Sequence, residues 1–191
     1  WKDVHWGALF ERHELSGLPF VRIPEDLMFQ WVAALPGRVQ VEETREHWDY
    51  LYSVEELVAL EGNRFHRKKN LLAQFRKKYR SAYEEAGPDL MPGLLALQDS
   101  WCEWKDCESI EGLAAENSAI ERVLKEWGQL DGIMGAIVLV EDKPAAFTVG
   151  EAYTNDTLLI HFEKGLPGYT GIYQAINQMF LEHHREFSVV N

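Results

Sequence analysis

A mixed β-sheet with helices packed against it, an α+β fold (three-layer α/β in some schemes), is what this sequence predicts, and three observations predict it. Helix-period and strand-period stretches interleave along the 191 residues, with no repeat or low-complexity tract. "GAIVLV", "PAAFTVGEAY" and "TLLIHFEK", separated by the short turns "EDK" and "TND", read as a meander of three strands. Helical stretches precede that meander and follow it.

The elements follow in order. "VHWGALFERHE" and "LPFVRI" flank a Ser16-Gly17 turn and read as a hairpin. "PEDLMFQWVAAL" opens with proline and acids, keeps helical periodicity, and stops before Pro36-Gly37. "RVQV" and "WDYLYS" read as strands, and Ser53 with Glu56 three residues later makes a capping box for "VEELVAL". A basic helix follows Gly62. "EEAGPDLMPG" is a turn-rich connector, and helices from about Met91 to Lys105 and Glu111 to Trp127 come next. After the meander a helix from about Gly171 to His184 leads into "FSVV".

Composition narrows the classes. With 46% hydrophobic and 26% charged residues the chain is an ordinary soluble protein of one or two domains. No apolar run approaches the roughly 18 residues of a membrane span and no secretory pattern opens the chain, so a cytoplasmic setting is expected. Cys102 and Cys107 are too few for a disulfide scaffold and lack zinc-type partners; they are expected to be reduced thiols. The start at Trp1 and the apolar end "FSVVN" suggest a fragment of something longer. Glu182, His183 and His184 lack the His-Glu-x-x-His spacing of zinc hydrolases, no Gly-x-Ser-x-Gly elbow is present, and no metal site is expected. Trp101 and Trp104 read as core.

Charge is segregated. The net charge is -12, yet Arg64, Arg67, Lys68, Lys69, Arg76, Lys77, Lys78 and Arg80 fall in one stretch without a carboxylate, leaving -20 elsewhere. At 100° per residue Phe65, Leu72, Phe75 and Tyr79 share a stripe, and Lys68 and Arg64 fall within that apolar side. A cation there requires an anionic partner. Two readings stay open: a solvated helix that offsets an acidic surface, or a cluster that holds a phosphate-bearing ligand.

In "TLLIHFEKGLPGYTGIYQAINQMF" period-2 alternation puts Leu159, His161 and Glu163 on one strand face and Leu158, Ile160 and Phe162 on the other. Gly165, Pro167, Gly168 and Gly171 then run into a helix start, whose free amides and dipole make an anion cradle. Tyr173 and Asn177 form an i, i+4 pair near the edge of that helix, with Gln174 further out; hydrogen bonding between elements is their plain structural reading.

Together, "WDYLYSVEELVALEGNRFHRKKNLLAQFRKKY", "PAAFTVGE", "LLIHFEK" and "GIYQAINQMF" resemble the bacterial family related to the C-terminal domain of phosphatidylglycerol lysyltransferase, over about Trp48 to Asn191. The resemblance implies a GCN5-related acyltransferase-like mixed sheet flanked by helices, one of a tandem pair. Residues 1–47 would then be the remnant of a first half (hairpin, helix, strand) and 48–191 the C-terminal domain, truncated at its end. It implies a donor such as aminoacyl-tRNA or acyl-CoA; the acceptor stays open. The acetyltransferase pattern Gln/Arg-x-x-Gly-x-Gly/Ala is not found after "LLIHFEK", which puts coenzyme A in question.

The candidate residues follow from both lines. Glu151, His161 or Glu163 would act as base or orienting group and Tyr173 as proton donor to the leaving group. Arg64, Arg67, Lys68 and Lys69, with Gly168 and Gly171, would hold donor phosphate. Asn70, Lys164, Gln174 and Asn177 complete the polar set. Two other readings compete with a transferase: a non-catalytic module of the same fold that recognises RNA or phospholipid headgroups, and a structural partner domain.

Overall fold

The computed structural model describes residues 4–191 and divides into two compact units at Asp49/Tyr50. The first holds helix α1 (Trp6–Arg12) and helix α2 (Glu25–Ala34). The expected hairpin is absent. Trp6 and Phe10, spaced i, i+4, fall on one helical face and bury against Leu35, with the Trp31 ring edge-on to both at 5.7 and 5.2 Å. His5 caps α1 by accepting from the Ala8 amide. The expected strand at 38–41 does not form either, since it pairs with no other strand among the described residues.

The second unit is a six-stranded mixed sheet in the order β1-β6-β5-β4-β3-β2, flanked by helices. Its strands are β1 (Tyr52–Ser53), β2 (Ser81–Glu85), β3 (Ile133–Val140), β4 (Lys143–Ala152), β5 (Thr157–Gly165) and β6 (Val189–Val190). All neighbours are antiparallel except β5 and β6, which run parallel and pair only at Thr157/Val189 and Leu158/Val190. The meander β3-β4-β5 forms where the three apolar stretches and their short turns predict it. Its first turn is two residues, Glu141 and Asp142, both at positive φ, as a tight hairpin needs.

Helices α3 (Val54–Ala59), α4 (His66–Lys78) and α7 (Ile172–His183) cover one face; α5 (Met91–Lys105) and α6 (Glu111–Lys125) cover the other. Alternate β3 residues mark the two layers. Ala136, Val138 and Val140 join Phe75, Ile176 and Phe180, whereas Ile137 joins Leu94, Ile120, Leu124, Phe147 and Val149. Ser53 caps α3, accepting from the Glu56 amide, while the Glu56 carboxylate is taken by Arg64. The basic stretch begins as a 3-10 turn, Asn63–Phe65, so Arg64 lies ahead of α4 proper.

Cys102 and Cys107 are joined in a disulfide, which corrects the expectation of free thiols. The α5 helix ends at Lys105, and Asp106 then takes a left-handed conformation (φ 56°) that reverses the chain and brings the two Cα atoms to 5.0 Å.

Candidate active-site cleft

A bulge on β5 decides which side chains meet. Val149 faces Phe162 and Gly150 faces Ile160, so His161 is the additional residue between them. The alternation is thereby inverted: Leu158 and Ile160 pack with α7, but Phe162 packs with Phe147 and Val149 on the opposite layer. His161 and Glu163, expected to project together, are separated. His161 Nε2 meets Glu151 Oε1 at 3.1 Å, while Glu163 turns toward α7 and accepts from Asn177 Nδ2 at 3.4 Å.

Glu163 lines a cleft of about 150 Å³ with Lys68, Tyr52, Tyr173, Gln174 and Asn177. Burial pushes its carboxyl up to about 7, against the opposing pull of the Asn177 amide and the Lys68 charge. A carboxyl near neutrality takes or gives a proton at physiological pH. Lys68 enters from α4, with Nζ 5.6 Å from the Tyr52 ring centroid. Gln178 supports the floor: its amide donates to the Val58 carbonyl at 3.1 Å and accepts from the Arg76 guanidinium at 2.9 Å, tying α3, α4 and α7 together. Asn191 closes one end, its side chain accepting from the Ile160 amide at 2.6 Å.

The glycine loop lines a second cavity of about 290 Å³, with Trp104, Tyr169, Tyr173 and Gln174. Tyr173 and Gln174 wall both spaces, so the cleft of Lys68 and the cavity of Gly168 are neighbours. Tyr79, the residue that ends α4, clamps the loop, donating its hydroxyl to the Gly168 carbonyl at 3.0 Å and accepting from the Thr170 amide at 3.2 Å. Gly171 (φ +84°) sits so close to α4 that a Cβ would run into the Leu71 carbonyl oxygen. Ile172 N–H is taken by the Tyr169 carbonyl. The amides of Tyr173 and Gln174 have no acceptor among the described residues.

The other sequence-predicted residues lie elsewhere. Arg64 is paired with Glu56. Arg67 and Lys69 are exposed on α4 and, among the described residues, form no salt bridge. Asn70 contacts His66 at 3.4 Å on the same helix. Lys164 is buried on the far layer, 2.7 Å from Glu116 Oε2 and over the Trp101 ring. Sequence reasoning missed Tyr52, Gln178 and Asn191 as cleft residues. Only Gln178 carried a signal, since it follows Gln174 by four residues on one face of α7.

The chain belongs to the family described as phosphatidylglycerol lysyltransferase, C-terminal, whose model matches residues 1–191. It is similar to a crystal structure of a conserved protein of unknown function from Bacteroides thetaiotaomicron, at 28% identity and TM-score 0.87, covering 97% of this chain and 64% of that one. The fold is also that of the C-terminal domain (DUF2156) of a candidate lysylphosphatidylglycerol synthetase from Agrobacterium fabrum, at 15% identity and TM-score 0.53, covering 74% of this chain and 44% of that one. A functionally unknown conserved protein from Staphylococcus epidermidis matches at 13% identity and TM-score 0.51, over 74% of this chain and 47% of its own. The chain thus spans less than two thirds of each of these proteins. No curated protein matches it. Among the described residues no helix is long and apolar enough to cross a membrane.

Proposed function

We propose that this domain is an acyl- or aminoacyl-transferase whose donor bears phosphate, either aminoacyl-tRNA or acyl-CoA, and that transfer takes place in the cleft between β5 and α7. The observation that carries this reading is the Glu163 carboxyl, raised to about 7 in a cleft that also holds Lys68 and the Tyr173 hydroxyl. Family membership supports it. In this scheme Glu163 takes the proton of an acceptor amine or hydroxyl as that atom attacks the donor's acyl carbon. The bond from the acyl carbon to the donor oxygen or sulfur breaks, and Tyr173 supplies the proton to the leaving atom.

Lys68 and the free amides at the start of α7, reached past Gly168 and Gly171, hold donor phosphate. Arg67 and Lys69 draw the anion toward the mouth through an otherwise acidic surface. Asn177 and Gln174 orient the reacting groups. Glu151 and His161, paired at the bulge, keep β5 in register. The donors named place the reaction in the cytoplasm.

Thermal stabilisation tests the reading. A charged-tRNA pool or a panel of acyl-CoAs should raise Tm, because ligand at a hundred times Kd adds about 2.7 kcal/mol of stability. No shift with any of them, at ligand well above micromolar, contradicts it. The unpaired cations of α4 also fit a non-catalytic module for RNA or phospholipid headgroups. Binding would then fall steeply with salt and persist in the His161→Ala, Glu163→Ala double variant.

A further inference from the structure

We infer that Trp101 is the positioning residue that aims the Tyr173 hydroxyl into the cleft; this rests on the transferase reading above. Trp101 lies on α5, in the layer opposite α7, and only 5% of it is exposed. Its indole Nε1–H, a donor with no acceptor capacity, is directed at the Tyr173 oxygen at 3.2 Å. Tyr173 stands in the first turn of α7 and lines both cavities. With one lone pair occupied by the indole, the phenolic hydrogen is turned away from Trp101. The hydroxyl is left as a donor toward the open space.

The neighbours of Trp101 fix its ring within the buried layer. Lys164 Nζ sits 4.2 Å from the centroid of its ring and is itself fixed by Glu116 Oε2 at 2.7 Å. A cation over the indole face holds the ring in place and, by withdrawing electron density, strengthens the N–H as a donor. The disulfide from Cys102 to Cys107 then closes the end of α5 immediately after Trp101. Lys164 is the neighbour of Glu163 on β5, so one strand carries the cleft carboxyl on one face and the anchor of the indole on the other.

The experiment pairs a structural readout with a kinetic one. In 1H–15N spectra of the whole chain, Tyr173→Phe, which removes one hydroxyl from a partly exposed ring, should shift the Trp101 indole signal while leaving the other tryptophans in place. Lys164→Met should shift the same signal. In transfer assays with charged tRNA and acyl-CoA as donors, Trp101→Phe should lower kcat about tenfold or more with KM little changed. An indole signal indifferent to Tyr173→Phe overturns the inference whatever the activity. So does a Trp101→Phe variant with wild-type kcat. A wild-type chain that turns over no donor sinks the transferase reading instead, while the indole shift still reports whether Trp101 holds the hydroxyl.

Discussion

Glu163 of β5 and Asn177 of α7 are joined by a 3.4 Å hydrogen bond across the groove between strand and helix, and this contact places a carboxyl inside the cleft that Lys68 enters. It exists because the bulge at His161 turns Glu163 toward α7. Without the extra residue the strand would present the other edge of its pleat.

The raised carboxyl makes stability depend on pH. Glu163 titrates near 7 when folded and near 4.5 when unfolded, so between those values the folded state holds more protons. Stability contributed by the protonated group is full below about 4.5 and is lost as pH rises toward about 7. Glu163→Gln should therefore remove roughly 3 kcal/mol of this loss, gaining on the wild type at pH 8 relative to pH 4. Urea unfolding of both proteins at the two values measures it.

Lys68→Ala tests anion binding. Lys68 is exposed apart from its contact with the Tyr52 ring, so Tm should hardly move. Affinity for inorganic pyrophosphate should fall about tenfold, and the slope of log Kd against log salt should drop by about one. Calorimetric titration at several salt concentrations gives both.

Gly171→Ala should be costly. The substitution places a side chain at φ +84° and drives its Cβ into the Leu71 carbonyl of α4. A loss of roughly 2 to 4 kcal/mol is expected from strain and overpacking combined. The neighbouring Gly168→Ala meets no atom within 4 Å and has only its φ of +91° to bear, so thermal unfolding should rank it clearly milder.

Cys107→Ser opens the disulfide at the end of α5. For so short a loop the chain-entropy estimate is roughly 2 kcal/mol. Tm of the wild type should fall on reduction by dithiothreitol, and that of the variant should not respond to the reductant.

Much of the fold was legible in the sequence because the three meander strands are apolar runs of strand length and the turns between them carry Asp, Asn and Lys. Strand β2 was not. Only Ser81 and Tyr83 face inward in "SAYEE", and an edge strand with Ala82, Glu84 and Glu85 exposed reads as a loop. Trp6 and Phe10 fit a helix as well as a hairpin, and their partner Trp31 lies too far along the chain for local pattern to choose. Glu163, Lys68, Tyr173 and Asn177 were singled out from local spacing and the structure brings them to one cleft. The relation of Glu163 to His161 was misread because a bulge depends on strand pairing that no period-2 count can detect. Tyr52, Gln178 and Asn191 reach the cleft through long-range packing alone.

A 13C NMR titration of the Glu163 side-chain carboxyl in the intact chain bears most directly on whether this cleft holds a group fit for proton transfer. A midpoint near 7, moving upward when Lys68 is replaced by Ala, is the predicted result. A midpoint at the ordinary value of 4.5, indifferent to Lys68, would contradict the account.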